Sequence, residues 1–461
     1  MEPAGDLQMA RDLALLAPEL AMLTLTVLAL VADMLARPRW SFWLALAGLL
    51  AAAGLAVPLV GTDTTVFMGT YRVEALSVWA KLILAPAGAL ALVLLRSEVK
   101  GSDREGAAYV LLNFTTLGSV LLAGVGDVML VVLGVLLTSL GSFALVSLKQ
   151  DDLSTEAGMK YLVFGSVTSA LMIFGLSYWF GATGSTLLSD SGVLATMRVA
   201  GVAALVALVI GLGYKASVAP LHFWAPDAYD GAPLAIAAHL SVVPKVGALF
   251  ALAQVMQDLP PTLGWRELLA ALAVASMTYG NLAALTQQNV VRLLAYSSIA
   301  QSGYFLLGVV ALGRSDLAVG SLVVFAAAYA AMNLGAFAVV LQAGRTLDDL
   351  TGLGRSVPWL AVAMAVFLLS LVGIPPLAGF AGKLLLFGAA IDARYAWLAV
   401  VGIINSVLSL AVYLRIVVVM YRSSDHAAPR PLRPALFVSG TALLLTLAIG
   451  LGGEVLLGGI G

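Results

Sequence analysis

The amino-acid sequence predicts an all-α polytopic membrane protein with about 14 transmembrane helices. Of its 461 residues, 61% are hydrophobic and 11% are charged. The mean hydropathy of +1.02 is far above that of soluble domains. Apolar runs of about 20 residues, the length that crosses a ~30 Å hydrocarbon core, recur along the chain. No soluble domain fits between them, so residues 1–461 are predicted to form a single membrane domain.

The apolar runs give the spans in order. The first run contains Glu19 and follows acidic residues, so we predict a retained helix and not a signal peptide. Spans 1 to 14 are predicted at 15–36, 41–61, 76–95, 107–125, 127–148, 157–180, 195–216, 233–257, 264–286, 290–313, 317–344, 357–378, 394–421 and 434–457.

Lysine and arginine in the connections predict the orientation of the chain. The connections after odd-numbered spans carry twelve of these residues, and the opposite side carries six. Both termini are therefore predicted on the non-cytoplasmic side. The remaining cationic residues lie inside spans or at their ends: Lys81, Lys160, Lys215, Lys245, Lys383 and Arg415.

Spans 7 and 12 are interrupted by proline in opposite orders. In span 7, Lys215 precedes Pro220, whereas in span 12 the pair Pro375–Pro376 precedes Lys383. Reversed order and broken helices are typical of inverted-repeat transporters. We therefore predict two inverted five-helix repeats, spans 4–8 and 9–13. The corresponding segments are the N-terminal helices (1–106), the first repeat (107–257), the second repeat (264–423) and the C-terminal helix (430–461).

Lysines in the middle of a span indicate function, because a charged side chain there is costly and burial makes its protonation easy to switch. Lys245 follows Pro244 near the centre of span 8, and Lys215 and Lys383 adjoin the breaks. These three are predicted to form a proton relay, with His239 as a further relay candidate. Lys81 and Lys160 are expected to extend to the headgroups instead.

Other polar residues have ordinary alternatives. Asp227 and Asp230 either collect protons at the cytoplasmic side or are solvated or capping groups, and His222 is expected to be a turn residue. Span 10 carries a group of polar side chains that suits a water wire or, more commonly, interhelical hydrogen bonding: Ser297, Ser298, Gln301, Ser302 and Tyr304.

Composition also excludes several functions. The chain has no cysteine, which rules out disulfides and Cys-ligated iron–sulfur clusters, and three histidines are too few for a typical bundle haem site. A net charge of −1 and the absence of a basic patch argue against nucleic acid. We predict no cofactor and no metal site in this chain, and the lipid bilayer as its surroundings.

Five stretches resemble the antiporter-like subunits of respiratory complex I, and the N-type most closely. They are "LLAPELAML", "STEAGMKYLVFGS", "GLGYKASVAPLHFWAPDAYDGAP", "VVRLLAYSSIAQSGY" and "SLVGIPPLAGFAGKLLLF". The resemblance implies that Lys215, Lys245 and Lys383 are proton-path lysines. It implies a subunit of a proton-translocating NADH:quinone oxidoreductase of the bacterial cell membrane, with no redox chemistry of its own. The implied neighbours are M-type and K-, J- or A-type membrane-arm subunits.

The sequence departs from that family at one position. The family's span 5 usually carries a glutamate that pairs with the span 7 lysine, and Leu136 or Leu137 stands there instead. His239 is also more typical of M- and L-type subunits. Two alternatives therefore stay open, namely a subunit of a multi-subunit cation/proton antiporter or membrane-bound hydrogenase, and a scaffold subunit with one impaired half-channel.

Overall fold

A computed structural model describes residues 3–423 and 431–458, and most of this part of the chain is helical. Its α-helices are α1 Pro3–Leu15, α2 Ala17–Met34, α3 Pro38–Ala56, α4 Ala75–Val99, α5 Glu105–Ala123, α6 Val128–Val146, α7 Asp152–Thr183, α8 Arg198–Lys215, α9 Trp224–Gly231, α10 Leu234–Asp258, α11 Trp265–Leu285, α12 Val290–Ala311, α13 Leu317–Ala343, α14 Leu353–Ser356, α15 Pro358–Val372, α16 Ala378–Asp392, α17 Ala396–Met420 and α18 Arg433–Gly458. Strands β1 (Thr64–Val66) and β2 (Tyr71–Val73) form an antiparallel hairpin. The sequence did not predict this hairpin or α1.

The predicted spans are confirmed with one correction. Within the described residues, 13 helices are long and apolar enough to cross a membrane. The fourteenth crossing, span 12, consists of the half-helices α15 and α16. The predicted range 357–378 was therefore too short, because it stopped where α16 begins. The prolines 375 and 376 lie in the break, and a second half-helix carries Lys383 and continues to Asp392.

Both breaks lie where the sequence predicts them. α8 ends at Lys215, and α9 begins only at Trp224. Lys215 thus precedes its break and Lys383 follows its own, as the reversed order of the motifs indicates. Pro244, by contrast, lies inside α10, which is continuous. The division into two repeats stays a prediction.

The break before α16 depends on two glycines. Gly373 ends α15 with φ +99°, in the left-handed region that favours glycine. A Cβ on Gly379 would lie 1.7 Å from the Ser370 carbonyl oxygen, so the two half-helices approach each other too closely for any side chain at this point. The sequence therefore brings the start of α16 against the end of α15.

Polar side chains cap the first turns of several helices. Asp127 accepts a hydrogen bond from the Met129 amide at the start of α6, and Asp151 accepts one from the Ser154 amide in α7. Glu98, near the end of α4, accepts the Leu234 and Ala235 amides at 3.0 and 2.7 Å. The first free amides of α10 are thus capped by a different helix.

The core of the molecule is formed by α10, α12 and α13, whose spans are almost wholly buried. α10 packs against α4, α5, α8, α12 and α13, and α18 packs on α13. Polar groups on α10 and α12 are therefore shielded from lipid by other helices, and they must find their partners within the protein.

Connections after odd-numbered spans meet at one end of the bundle. Arg104 donates to the Leu148 carbonyl at 2.9 Å, and Arg345 donates to the Asp230 carbonyl at 2.6 Å. At the opposite end, Arg72 in strand β2 of the hairpin forms an ion pair with Asp258. The relative sides of the connections agree with the predicted topology, whereas the orientation in the membrane stays a prediction.

Candidate functional site

Lys245 lies at the centre of α10 and is fully buried. Its Nζ atom donates to the carbonyl and the hydroxyl of Ser298 on α12, at 3.0 and 2.8 Å. These two oxygens replace part of the hydration that the ammonium loses on burial. Lys245 therefore lies buried in the middle of its helix, as the sequence predicts, and not at a helix end.

Lys383 lies on α16 beside the end of α15. Its Nζ atom donates to the carbonyls of Leu371 and Val372 at 2.9 and 3.0 Å and to the Ser406 hydroxyl at 3.2 Å. The two carbonyls belong to the last turn of α15, so no amide of a following turn is available to hydrogen-bond them. The helix dipole also gives this end of α15 a partial negative charge. The ring centre of Tyr304 is 3.9 Å from Nζ. The break therefore creates the oxygen ligands of this lysine.

Lys215 is the last residue of α8 and is also buried. Its Nζ atom donates to the Ser139 hydroxyl on α6 at 3.0 Å and to the Tyr161 hydroxyl on α7 at 3.1 Å. Glu156, near the start of α7, forms an ion pair with Lys160 and not with Lys215. Among the described residues, no carboxylate lies within salt-bridge distance of Lys215.

The contact residue on α6 differs from the position that the family resemblance indicated. The Leu136 side chain is 40% exposed on the outer surface, while Ser139, one helical turn later, contacts Lys215. Sequence reasoning missed both Ser139 and Tyr161. A linear pattern does not identify them, because the face of α6 that meets Lys215 depends on how the helix is rotated in the bundle.

Helix α12 contacts the surroundings of all three lysines. Ser302 donates to the Ala216 carbonyl, next to Lys215, at 2.7 Å and to the Ser298 carbonyl at 3.0 Å. The Gln301 amide donates to the Leu371 carbonyl, which also accepts from Lys383, at 3.3 Å. The polar residues of span 10 therefore form interhelical hydrogen bonds, the commoner of the two uses expected for them.

His239 and His222 differ from the three lysines in their contacts. His239 is fully buried on α10, and none of the described groups hydrogen-bonds either ring nitrogen. Lys245 donates to Ser298 and not to this ring. His222 lies in the break after α8, with its ring centre 4.6 Å from that of Tyr279. The relay role of His239 stays a prediction.

Asp227 and Asp230, on α9, are paired and not freely solvated. Asp227 binds Lys160 at 2.9 Å and Arg292 at 2.7 Å. Asp230 lies 3.6 Å from Arg345. Lys160, near the start of α7, is half exposed but belongs to an ion-pair cluster. Residues from both halves of the chain thus hold α9.

The expectation for Lys81 is wrong. Its Nζ atom does not extend to the headgroups but is fully buried, 3.0 Å from a carboxylate oxygen of Glu19. The Tyr71 hydroxyl donates to the same carboxylate at 2.5 Å. Burial raises the pKa of Tyr71 well above its ordinary value, so the hydroxyl keeps its proton and remains a donor. The attraction of a buried carboxylate outweighs the tendency of the lysine to reach water.

Fold and site together define a polytopic membrane protein of the antiporter-like class, with broken helices and buried lysines. The family described as "NADH:quinone oxidoreductase/Mrp antiporter, TM" matches residues 125–409. The chain is 38% identical to NADH-quinone oxidoreductase subunit N of Mycobacterium sp. (strain JLS), covering 95% of this chain and 96% of that relative. The chain belongs to this family, among relatives named subunit N.

Solved structures agree with this assignment. A chain of respiratory complex I from Thermus thermophilus matches with a TM-score of 0.84 and 31% identity, covering 96% of this chain and 98% of that one. A chain of the Mrp complex from Dietzia sp. DQ12-45-1b also has a TM-score of 0.84, over 97% of this chain and 96% of that one. At 22% identity, this second match shows the fold alone.

Proposed function

We propose that the chain is a proton-translocating, non-redox membrane-arm subunit of a complex I-type NADH:quinone oxidoreductase. The observation that carries this proposal is the set of three buried lysines, each bonded to carbonyl or hydroxyl oxygens and none, among the residues that the structure describes, to a carboxylate. An ammonium held by neutral oxygens releases its proton more readily than one paired with a carboxylate, because no negative charge stabilises its protonated form. Lys215, Lys245 and Lys383 therefore serve as proton carriers.

Helix α12 connects the three carriers through Ser302, Ser298 and Gln301. A shift of this helix changes the oxygen ligands of Lys245 directly, and it moves the carbonyls of Ala216 and Leu371 beside the other two lysines. Such a shift alters the relative proton affinities along the membrane plane. His239, on α10, is a further carrier candidate in this scheme. Redox chemistry takes place in other subunits, and this chain binds no cofactor.

The location follows from the same reasoning. The chain lies in a bacterial cell membrane, beside M-type and K-, J- or A-type subunits of the membrane arm, with both termini on the non-cytoplasmic side. Support for the last point comes from the lysine and arginine excess in the connections after odd-numbered spans.

The carrier role is tested with Lys245→Ala in the intact enzyme, reconstituted into proteoliposomes. We expect proton pumping driven by NADH to fall by about 10²-fold, the usual loss when a proton-transferring group is removed, while the enzyme still assembles. Lys100→Ala, at an exposed residue in a connection, is the matched control. Pumping at the control level in Lys245→Ala would contradict the proposal, and equal losses of assembly and turnover would favour a scaffold.

One observation favours the scaffold alternative for the first half of the chain, since Lys215 has no carboxylate within salt-bridge distance among the described residues. If the Lys215→Met variant pumps at the control level while Lys245→Ala loses pumping as expected, the first half of the chain is a scaffold. The antiporter alternative predicts pumping that depends on Na⁺, which the same vesicles measure.

A further inference from the structure

The surroundings of Lys215 are built from aromatic rings and hydroxyls. The ring centres of Tyr161 and Phe143 lie 5.3 and 5.8 Å from Nζ, and the two rings pack edge to face at 4.8 Å. The Ser139 and Tyr161 hydroxyls complete the site with the two hydrogen bonds described above. Lys215 is therefore held by an aromatic cage with two hydroxyl acceptors.

The Tyr161 ring is fixed from three helices. It stacks on Trp224 of α9 with ring centres 4.3 Å apart and an interplanar angle of 18°. Trp224 donates to the Tyr214 carbonyl at 2.8 Å, and the Tyr214 hydroxyl donates to the Tyr161 carbonyl at 2.7 Å. These contacts link α7, α8 and α9 in a closed loop. The hydroxyl of Tyr161 thus keeps one position relative to the end of α8.

The charged and titratable groups near Lys215 come from four helices. α6 contributes none, because residues 128–146 contain no acidic, basic, histidine or tyrosine side chain. Tyr161 and Lys160 lie on α7, Tyr214 on α8, and Asp227 and Tyr229 on α9. His239 and Lys245 lie on α10. Asp227 is already shared by Lys160 and Arg292, which leaves hydroxyls as the direct partners of Lys215.

We propose that Ser139 and Tyr161 are the positioning residues of Lys215, whose ammonium they hold through hydrogen bonds to hydroxyl oxygens and not to a carboxylate. The two hydroxyl oxygens accept hydrogen bonds from the ammonium and stabilise its protonated form, without the full attraction of a negative charge. The protonated form of Lys215 is therefore stabilised less than it would be by a carboxylate. This inference rests on the proposed carrier role of Lys215.

The test uses the intact enzyme in proteoliposomes and follows NADH-driven pumping as a function of pH. Tyr161→Phe removes one acceptor and keeps the stacked ring. We expect pumping to fall about tenfold, the loss of a hydrogen bond to a charged group. The alkaline decline of the pH profile moves about one unit lower, because less stabilisation remains for the protonated lysine. Ser139→Ala is expected to act in the same direction, and Ser139→Thr, which keeps the hydroxyl, to leave pumping near the starting level.

Rescue separates positioning from general structural support. Adding Ser139→Asp to Tyr161→Phe supplies a carboxylate acceptor and is expected to restore pumping and move the alkaline decline back up. Tyr178→Phe removes a hydroxyl from an exposed tyrosine on the same helix and is the matched control.

The inference would be overturned if the pH profiles of pumping in Tyr161→Phe and in Ser139→Ala both coincided with that of the control. It would also be overturned if Ser139→Asp failed to restore pumping in Tyr161→Phe. Pumping at the control level in the Lys215→Met variant would instead overturn the carrier role of Lys215. Failure of the inference and failure of the proposed function are therefore distinguishable.

Discussion

The Ser302 hydroxyl on α12 donates a hydrogen bond at 2.7 Å to the carbonyl of Ala216, the residue that follows Lys215. This bond joins the second half of the chain to the break in the first. Ser302→Ala is expected to reduce pumping several-fold while leaving assembly intact, because one buried hydrogen bond contributes about 1 kcal/mol. The measurement is the proton yield per NADH oxidised in proteoliposomes.

The control for Ser302 is Ser321→Ala on α13. That serine is also fully buried, but its hydroxyl donates to the Ala318 carbonyl within its own helix. Equal proton yields in the two variants would show that the bond to Ala216 does not couple the two halves.

The buried Glu19–Lys81 pair predicts a clear pattern of stability. Glu19→Gln leaves an unpaired ammonium, and we expect a loss of about 3–5 kcal/mol in the free energy of unfolding. Glu19→Gln combined with Lys81→Met removes both charges at similar volume and is expected to recover most of this loss. The melting temperature of the purified enzyme measures both effects.

A double variant as unstable as Glu19→Gln would contradict the prediction, since the damage would then come from lost packing and not from an unpaired charge. Tyr71→Phe provides a scale for the comparison, because it removes only the hydrogen bond to Glu19 and is expected to cost about 1.5–3 kcal/mol.

The orientation gives a third prediction, which the absence of native cysteine makes easy to measure. A cysteine at the exposed Lys100 is expected to react with a membrane-impermeant maleimide only from the cytoplasmic side. A cysteine at Met68, which is 90% exposed on the hairpin at the opposite end, is expected to react only from outside. The reverse pattern would invert the topology. Arg104 and Arg355 share the predicted cytoplasmic side, whereas Gly461 lies outside the described residues.

The sequence predicts the spans well because length and hydropathy alone decide whether a segment crosses a membrane. It also predicts Lys245 and both breaks, since proline and lysine inside apolar runs are conspicuous. It fails for Lys81, because hydropathy does not reveal that Glu19, 62 positions earlier, lies beside it in the fold. Partners on other helices depend on tertiary packing, which a linear pattern does not contain.

The surroundings of Lys215 illustrate the same limit on a smaller scale. Counting along α6 located the missing acid at Leu136 or Leu137, and the absence of a carboxylate partner is confirmed for the described residues. The rotation of α6, however, turns Ser139 towards the lysine. A single residue on a helix corresponds to a rotation of about 100°, so the contact was identifiable only once neighbouring helices had fixed that rotation.

The close approach of α15 and α16 provides the last prediction. Gly379→Ala would place a Cβ 1.7 Å from the Ser370 carbonyl oxygen, so the half-helices must separate. Since Lys383 is bonded to the last carbonyls of α15, this separation moves its Nζ atom away from Leu371 and Val372. We expect pumping to fall at least about tenfold, as one or more hydrogen bonds to a charged group are lost. Proton pumping and the amount of assembled enzyme are measured together.

Gly440→Ala is the matched control, because a Cβ at that position on α18 meets no atom within 4 Å. It is expected to leave both assembly and pumping unchanged. If Gly379→Ala assembles and pumps as well as this control, the close contact between the half-helices is not what holds Lys383, and the carbonyls at the end of α15 are not its essential ligands. Loss of pumping at normal assembly would identify the break as the element that positions this lysine.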